Sequence, residues 1–388
     1  MKRFLFLLTI LTLMLSICPM PFSVARAADI PENNSGAVLC PPDVYLQTPD
    51  DCAPLGPSQY LTEMASMGLE LPLRPLQYSH PDVTLSNLPY LYYKVDSTGT
   101  GFYSSLDGAI AHVGASRLLS PGKTMYVVYS GVTDTGKGVY FQLPSGEWMP
   151  GDGSRVSVPS VFPGLEIHAT PRNSFGWVIQ PTGVRHDPNF LPFNPPIRQL
   201  QLHEIVQIYY MEKIEGYDWY LIGPDEWVMG RDVAAAIPNT TPPPGVTDNR
   251  WIDVNLEKQT LTVYENGQLV YATIISTGVE KFWTRPGVFQ IYKKKDLETM
   301  QGSFEANRSD FYYLENVPWT MYFDKARALH GAYWHTKFGY NASHGCVNLS
   351  PGDAHWLFNW AKEGDWVYVH DPSGKTPTDP AIYGEGGA

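Results

Sequence analysis

The stretch His330–Leu349 reads HGAYWHTKFGYNASHGCVNL and carries one cysteine, Cys346, directly after a His-Gly pair. A second His-Gly pair, which begins at His330, opens the same stretch. At neutral pH only a few per cent of an unperturbed thiol is thiolate, so a cysteine that attacks an amide carbonyl needs a base. An imidazole beside the sulfur can take the thiol proton and later give it to the leaving amine. The pattern therefore indicates a cysteine nucleophile with a histidine partner.

A tight turn is expected just before the cysteine, because Gly345 separates His344 from Cys346. Glycine lets the backbone approach a reacting carbonyl closely. Backbone N–H groups around such a turn can form an oxyanion hole. The turn is therefore suited to stabilise the tetrahedral intermediate of acyl transfer.

Two other interpretations of these residues remain open from spacing alone. A cysteine can be a small buried hydrophobic residue with no chemical role. The three histidines His330, His335 and His344, together with Cys346, could also hold zinc. Structural zinc sites favour short paired spacings, however, and only His344 and Cys346 are that close.

Residues 250–371 resemble the catalytic domain of the L,D-transpeptidases, which has the YkuD-like fold. The family signature is a His-Gly or His-Ser pair followed, after a gap, by [ST]-H-G-C-x-[NR]. This chain matches it at residues 330–331 (HG) and 343–348 (SHGCVN).

Two upstream motifs occur in the family's order. Residues 275–278 (ISTG) resemble the family's strand that ends in S-T-G. Residues 284–289 (TRPGVF) resemble its T-P-x-G-x-F turn, with Arg285 and Pro286 transposed relative to the commonest form. Four ordered motifs make the resemblance specific, although it covers only about a third of the chain.

The resemblance implies a role for each motif residue. Cys346 is the nucleophile, and His330 is the base and later the acid, oriented by the backbone carbonyl of Gly331. No metal and no cofactor is required. His335 falls between the motifs, and its removal is expected to change the rate little. The candidate oxyanion and substrate residues are Ser343, His344, Gly345, Asn348, Trp334 and Tyr322.

The activity that the resemblance implies is acyl transfer between peptidoglycan stem peptides. Cys346 attacks the bond between the L-centre of a diamino acid and the D-residue at position four of a donor tetrapeptide, and the D-residue leaves. A side-chain amine of another stem then resolves the acyl-enzyme and forms a 3-3 cross-link. Carbapenems, which acylate this family, are expected to acylate Cys346.

Two other classes of function remain open. A wall hydrolase, either a carboxypeptidase or an endopeptidase, would use the same residues with water as acceptor. A non-catalytic wall-binding protein would carry a dead site, but the intact His330 and Cys346 argue against it. Papain-like peptidases place the cysteine before the histidine, whereas here His330 comes first. The sequence leaves the acceptor and the third-position residue of the stem open.

Residues 1–27 are interpreted as a secretory signal peptide. Lys2 and Arg3 precede an apolar run that is too short to span a membrane, and residues 25–27 (ARA) form an A-x-A cleavage site. Lipidation of Cys18 is less well supported, because the bulky Ile17 stands where a small residue is expected. We therefore expect an exported protein of the cell envelope or exterior, without a membrane span after cleavage.

The charge of the chain excludes some partners. The formal charge is −12, and loss of Lys2, Arg3 and Arg26 with the signal peptide takes it to −15. A nucleic-acid partner and adhesion to an anionic membrane are therefore not expected. At 388 residues, several domains are expected.

Three cysteines remain after the predicted cleavage. In an oxidising compartment Cys40 and Cys52 can form a disulfide, which stabilises the chain by roughly 3 kcal/mol in the chain-entropy model. The alternative is two free thiols. With the disulfide formed, Cys346 is the odd thiol, and an odd thiol in an exported protein is a candidate for reactivity.

A divergent internal repeat lies before the catalytic region. Residues 139–151 (VYFQLPSGEWMPG) recur as 219–230 (WYLIGPDEWVMG) after one residue is dropped. The repeat resembles the end of bacterial SH3-like modules, which are small β-barrels found beside wall-acting enzymes. Trp148 and Trp227 are interpreted as barrel core rather than as a ligand platform. The modules would hold the enzyme against a cell-wall polymer.

The chain is thus divided into seven segments. The predicted linker is rich in proline and is expected to be stiff, so that it separates the modules from the catalytic domain. The segments are the signal peptide (1–27), a Pro-rich N-terminal segment (28–80), two SH3-like modules (81–160 and 161–236), the linker (237–249), the catalytic domain (250–371) and a tail (372–388).

The predicted fold class is mainly β. Alternating residues predict strands over 251–256, 259–264, 269–276, 287–293 and 365–370, with a hairpin turn at 265–267 (ENG). One helix is predicted after Cys346, because Ser350 can cap it and Pro351 suits its first position, with Ala354, Leu357, Phe358 and Ala361 on one face. Lys293–Lys295 is interpreted as a solvated strand end. The catalytic domain is expected to be a mostly antiparallel, sandwich-like barrel with one main helix.

Overall fold

The computed structural model describes residues 38–303 and 305–384, and β-strands dominate it. The chain divides into two compact units, Met1–Ala65 and Ser66–Ala388. The predicted signal peptide, with Cys18, lies outside the described residues. Within the described ranges, no helix has both the length and the apolar character needed to cross a membrane.

The first unit, described from residue 38, contains a disulfide bond between Cys40 and Cys52. Helix α1 (Pro57–Ser66) follows the disulfide and ends at the boundary of the unit. The Ser58 hydroxyl donates a hydrogen bond to the Pro41 carbonyl at 2.6 Å. The start of the helix is therefore tied to the chain next to Cys40.

The second unit contains helices α2 (Leu106–Ala111) and α3 (Pro351–Trp360) and many short strands. Short 3-10 turns lie at Pro49–Asp51 in the first unit and at Val83–Ser86, Gly153–Arg155, Gly230–Asp232 and Pro380–Ile382 in the second. The strands in chain order are β1 (Tyr78–Ser79), β2 (Leu91–Lys94), β3 (Thr100–Tyr103), β4 (Ala115–Leu119), β5 (Thr124–Tyr129), β6 (Gly131–Asp134), β7 (Val139–Gln142), β8 (Trp148–Gly151), β9 (Leu165–Ile167), β10 (Ser174–Val178), β11 (Thr182–Val184), β12 (Arg198–Leu200), β13 (Ile205–Ile208), β14 (Tyr210–Ile214), β15 (Tyr217–Gly223), β16 (Glu226–Met229), β17 (Val233–Ala236), β18 (Arg250–Asn255), β19 (Thr260–Glu265), β20 (Gln268–Ile274), β21 (Gly287–Gln290), β22 (Lys293–Gly302), β23 (Tyr312–Asp324), β24 (Arg327–Gly331), β25 (Val347–Leu349) and β26 (Trp366–His370).

Two large sheets carry the catalytic region. One has the order β1-β9-β20-β19-β18-β26-β21, and the other has the order β2-β5-β23-β24-β25 with β22 paired to β23. Apolar side chains from both sheets and from α3 form one buried cluster, which includes Val254, Val263, Met321, Leu329 and Leu357. Burial of these side chains is the main force that holds the two sheets and the helix together.

The sequence-predicted strands of the catalytic region are largely confirmed. Strands β18, β19, β20 and β26 lie within about one or two residues of their predicted ranges. The predicted hairpin turn between β19 and β20 has Asn266 and Gly267 at positive φ values of 54° and 75°. Asn-Gly tolerates this left-handed backbone, which matches the twist of the flanking strands.

The predicted helix is confirmed as α3. The Ser350 hydroxyl accepts a hydrogen bond from the Asp353 backbone N–H at 3.2 Å, and Pro351 is the first helical residue. Ala354 and Leu357 are fully buried on the inner face. Ala361 lies just beyond the last helical residue and is buried as well.

Strands β22 and β23 were not predicted. Residues 293–295 are not merely a solvated strand end, because the Lys294 ammonium donates to the carbonyls of Phe358 and Ala361 at 2.5 Å each. A cation at this position compensates the partial negative charge at the carboxyl end of α3. The interpretation of the lysine run is therefore wrong for Lys294.

The two copies of the repeat each form an antiparallel hairpin, β7–β8 and β15–β16. Trp148 and Trp227 are half-buried, whereas Phe141 and Val228 of the same hairpins are fully buried. Trp148 packs at the edge of the buried cluster of Tyr103, Ala109 and Tyr140, so the two tryptophans are partly buried rather than central core residues. The SH3-like character of the modules and their boundaries remain predictions.

The linker does not hold the catalytic region apart from the preceding strands. Strand β5 pairs in parallel with β23, and β9 pairs antiparallel with β20. The Tyr264 hydroxyl also accepts a hydrogen bond from the linker N–H of Asn239 at 2.9 Å. The expectation of a separating spacer is therefore wrong, because strands on both sides of the linker complete the same sheets.

Candidate active site

The sheet itself brings His330 and Cys346 together. Strand β24 carries His330 and pairs in parallel with β25, so that His330 lies opposite Asn348. Cys346 immediately precedes β25. Both residues are fully buried, at 0% exposure. Residues that are sixteen positions apart in sequence are thereby fixed on neighbouring strands.

The thiol of Cys346 lies against the beginning of β24. Its sulfur accepts a hydrogen bond from the Ala328 backbone N–H at 3.3 Å, and the thiol donates to the Ala326 carbonyl at 3.8 Å. Burial raises the pKa of Cys346 to about 12, although the Ala328 N–H and the nearby Arg327 act in the opposite direction. Cys346 is not part of a disulfide.

The imidazole of His330 has one oriented nitrogen and one open nitrogen. Its Nδ1 lies 3.5 Å from the Gly331 carbonyl oxygen, which can only accept, so this contact places the proton on Nδ1. Its buried Nε2 has no hydrogen-bond partner among the described residues. Burial lowers the pKa of His330 to about 4, which keeps the ring neutral and Nε2 ready to accept a proton.

The turn before Cys346 is held by two hydroxyl groups. The Ser343 hydroxyl donates to the Cys346 carbonyl at 2.6 Å and accepts from the Gly345 N–H at 3.1 Å. The Thr284 hydroxyl donates to the Gly345 carbonyl at 2.9 Å and accepts from the Gly278 N–H at 3.0 Å. The STG and TRPG motifs therefore meet the SHGC motif through hydrogen bonds.

Gly345 is required by its backbone conformation. Its φ is 118°, which side chains rarely allow, and an added Cβ would lie 3.2 Å from Nε of Arg327. Its N–H is already engaged by the Ser343 hydroxyl. In this state the Gly345 N–H is not available to an oxyanion. The expected oxyanion hole therefore cannot use this N–H group unless the Ser343 hydroxyl moves.

The remaining predicted residues surround this pair. The His344 ring packs between Phe282 and Tyr312, with ring centroids 4.7 Å and 5.9 Å away. The Trp334 ring lies 5.5 Å from that of His330 and is half-buried. Tyr322 is half-buried in β23, and burial raises its pKa, with smaller contributions from Glu298 and Cys346. The sequence interpretation of His344 as a residue that shapes the turn fits this packing.

The comparisons with known proteins concern the same part of the chain. Residues 249–369 match the family model of the YkuD L,D-transpeptidase catalytic domain. Residues 249–369 therefore form an L,D-transpeptidase catalytic domain. The motifs described above lie within this domain, and so do both of the residues that the sheet brings together.

Curated relatives of the catalytic domain come from Mycobacterium tuberculosis. The chain is 31% identical to L,D-transpeptidase 2 over 134 residues, which are 30% of each protein. It is 31% identical to L,D-transpeptidase 1 over 125 residues, which are 30% of this chain and 48% of the relative. The chain thus spans less than half the length of these relatives.

Among solved structures, the L,D-transpeptidase of Stackebrandtia nassauensis is 28% identical. The alignment covers 34% of this chain and 57% of that one, with a TM-score of 0.25.

The L,D-transpeptidase domain places His335 at the site, which the motifs did not indicate. The Asn348 side-chain amide donates to His335 Nε2 at 3.2 Å, and Asn348 lies opposite His330 in the sheet. Burial lowers the pKa of His335 to about 4, so its ring is neutral. The Asn348 Oδ1 atom is buried without a partner among the described residues. The only available signal in the sequence was a second histidine five residues after the first.

A second set of missed residues lies on the other side of Cys346. Asp324 accepts hydrogen bonds from Arg285 Nε at 2.8 Å and from Arg327 Nη1 at 3.0 Å. Arg285 is one of the two transposed residues of the TRPG turn, and its guanidinium also covers the Phe289 ring at 4.7 Å. The transposed Arg285 of the TRPG turn thus forms an ion pair with Asp324 of β23.

The domain's described residues contain no group of three or more His, Cys, Asp or Glu side chains arranged to bind a metal ion. His330 Nδ1 contacts a carbonyl, and His335 Nε2 contacts an amide. Each of these two histidines thus has one ring nitrogen in a contact that orients the ring.

Proposed function

We propose that this chain is a peptidoglycan L,D-transpeptidase that forms 3-3 cross-links through a Cys346 acyl-enzyme. The observation that supports it most is the open Nε2 of a neutral His330 on the strand next to Cys346. A buried polar atom without a partner is rare in folded proteins, and it is expected where a reacting group will bind. The L,D-transpeptidase domain that contains the pair supplies the reaction class.

The side chains of Cys346 and His330 are both uncharged in the resting state. Burial holds the thiol protonated and the imidazole unprotonated, because it disfavours the charged form of each. Proton transfer must therefore accompany attack on the substrate, when the substrate carbonyl can take up the sulfur's charge. His330 is suited to this role because Nδ1 is held by Gly331 while Nε2 stays open.

The acylation step follows from these positions. The Cys346 thiol gives its proton to His330 Nε2, and the sulfur forms a bond to the carbonyl carbon of the diamino acid at position three. The carbon–nitrogen bond to the D-residue then breaks, and the imidazolium returns the proton to the departing amine. The products are a thioester and a free D-amino acid.

The second step is the reverse reaction with a new amine. The side-chain amine of an acceptor stem attacks the thioester and gives a proton to His330, and Cys346 leaves with a proton returned. If water attacks instead, the product is a tripeptide, and the protein is a carboxypeptidase. The apolar Trp334 ring beside His330 favours the amine, because it helps to exclude water from the thioester.

The partners and the location follow from the same proposal. The substrates are donor tetrapeptides and amine-bearing acceptor stems, so the protein acts outside the cytoplasmic membrane as an exported, wall-associated enzyme. The predicted signal peptide and the Cys40–Cys52 disulfide support export. The preceding modules would bind a cell-wall polymer.

The test is product analysis with purified muropeptides. The full exported chain is incubated with a tetrapeptide donor and an acceptor stem, and the products are separated and identified by mass spectrometry. A dimer with a 3-3 link should dominate, and Cys346→Ala should give none. Accumulation of tripeptide alone at saturating acceptor would show a carboxypeptidase and overturn the proposal.

A further inference from the structure

We propose that Arg327 is a positioning residue for the Cys346 thiolate. The buried carboxylate of Asp324 neutralises only one of its two arginine partners, so Arg327 keeps positive charge that can stabilise the sulfur anion. The inference rests on the proposed function, in which the Cys346 sulfur becomes negatively charged as its proton passes to His330 during the attack. It concerns how this chain stabilises that anion without an imidazolium partner in the resting state.

The charges beside Cys346 do not balance. Asp324 is bound by both Arg285 and Arg327, so one carboxylate is shared by two guanidinium groups. The side chains of Asp324 and Arg327 are only 3% and 5% exposed. Buried charges are costly unless they are paired. One positive charge therefore remains without a counter-charge in this cluster, and an anion nearby would be stabilised.

The excess charge lies next to the nucleophile. The residues on either side of Arg327 contact the sulfur, at 3.3 Å from the Ala328 N–H and 3.8 Å from the Ala326 carbonyl. The Arg327 side chain packs against Gly345, and a Cβ there would lie 3.2 Å from Nε. This Nε is buried and has no hydrogen-bond partner among the described residues.

Two other described carboxylates near this cluster, Glu298 and Asp371, have partners of their own. Glu298 forms an ion pair with Lys295, and Asp371 accepts hydrogen bonds from the Ser373 and Thr376 N–H groups. Burial raises the pKa values of Tyr292 and Tyr322, which face Cys346, and of Tyr383, whose ring lies under Arg327, so all three are neutral. Burial lowers the pKa values of His330 and His344, and neither ring offers a negative charge. The thiolate is then the anion that pairs with the cluster.

Arg327 acts on the sulfur, which loses the proton in the transfer to His330. It favours the sulfur anion, and it lowers the pKa of Cys346 against the larger effect of burial.

The test is titration of the Cys346 thiol in the full chain by ultraviolet absorbance of the thiolate, with Cys346→Ala subtracted as blank. The Cys40–Cys52 disulfide does not titrate. Arg327→Gln should raise the thiol pKa by about one unit or more, which is a tenfold loss of thiolate. Asp324→Asn should lower it, because it increases the excess positive charge. Arg327→Lys, which keeps the charge, should lie closer to the wild type than Arg327→Gln.

The matched control is Arg155→Gln, which breaks the exposed pair with Asp96 at 2.7 Å and should leave the titration unchanged. If Arg327→Gln does not fold, as judged by circular dichroism, the shift in Asp324→Asn decides the matter. Equal shifts in the same direction for Arg327→Gln and Asp324→Asn, or no shift in either, would overturn the inference. If the Cys346 pKa shifts in opposite directions in the two variants but the wild type forms no 3-3 dimer, the proposed function is contradicted and the role of Arg327 is not.

Discussion

Two kinds of short sheet segment in this chain differ in the roles of their residues. One is the parallel pair β24–β25, and the other is the pair of hairpins β7–β8 and β15–β16. In the first pair, His330 and Asn348 face each other beside a buried thiol, and each carries a polar atom that no described residue contacts through a hydrogen bond. In the hairpins, the buried residues are apolar, such as Phe141 and Val228. Reaction chemistry restricts residue identity at the site, whereas the hairpins need only side chains that pack.

This difference explains why one region was easier to interpret than the other. A His-Gly pair and an SHGC turn have few functions besides catalysis, so their sequence indicates a role. A repeat of alternating apolar residues indicates a hairpin, but many sheets can accommodate it. The structure accordingly divides residues 81–160 between two sheets, one of which belongs to the catalytic domain.

The largest effect that separates the two regions is expected from loss of the nucleophile. Cys346→Ala should abolish acylation, because no other residue in the site replaces the sulfur. Mass spectrometry after treatment with a carbapenem should find one adduct on the wild-type peptide that contains Cys346 and none on the variant. An adduct on a peptide from the hairpin region would contradict the assignment of Cys346 as the reactive residue.

Loss of the base should have the next largest effect. His330→Ala should slow acylation by about 10²- to 10⁴-fold, since Nε2 no longer takes the thiol proton. Stopped-flow measurement of carbapenem acylation gives the rate. The control is His168→Ala, whose exposed side chain follows β9 outside the site and should not matter. The acylation rate of His335→Ala should fall between those of His330→Ala and His168→Ala, because His335 contacts Asn348. Equal rates for His330→Ala and His168→Ala would contradict the assignment of His330 as the base.

Asp353, in the first turn of α3, joins the catalytic domain to residue 164 of the preceding chain. It accepts hydrogen bonds from the Gly164 N–H at 2.7 Å and from the Tyr271 hydroxyl at 2.8 Å, and burial raises its pKa to about 6. The folded state therefore binds a proton between about pH 6 and 4 that the unfolded chain does not bind, so this group adds stability as the pH falls.

Relative to Asp353→Asn, the wild type should gain about 2–3 kcal/mol in the free energy of unfolding as the pH falls from about 7 to 4. Urea denaturation at several pH values measures this difference. Asp107→Asn, at the exposed start of α2, is the control and should follow the wild type. Parallel curves for the wild type and Asp353→Asn would show that the buried carboxyl does not titrate as expected.

The smallest effect on activity is expected from the first unit. Replacement of both Cys40 and Cys52 by Ser should leave the acylation rate unchanged, because neither residue belongs to the sheets that form the site. The cost to the first unit should be roughly 3 kcal/mol in the chain-entropy model. Peptide mapping without reductant should find the two cysteines joined in the wild type. A bridge from either one to Cys346 would contradict both expectations.

The strands that the sequence missed have a physical explanation. Strand β23 contains Pro318 between Asn316 and Trp319, which have positive φ values of 51° and 55°. Its pairing with β22 shifts register near Glu298, so the alternation of apolar and polar residues is broken. Strands β18 and β19 pair without a register shift, and both were predicted correctly.

The site was predictable only where residues that act together lie close in sequence or in a motif. Cys346, His330 and Gly331 belong to the two signature motifs. Arg285 and Asp324 are 39 residues apart and meet only because β23 turns back along the domain. His335 was set aside because its contact with Asn348 depends on the conformation of the loop between β24 and β25.

The parallel pairing of β5 with β23 restricts how this gene can recombine. A crossover in the linker would give a catalytic half whose β23 edge at Tyr312–Leu314 has lost its neighbour. Unprotected strand edges invite pairing with other chains. Proteins that inherit the catalytic half alone would need new residues along that edge. Recombination between wall enzymes should therefore give folded products more often when the crossover lies before β2 than when it lies in the proline-rich linker.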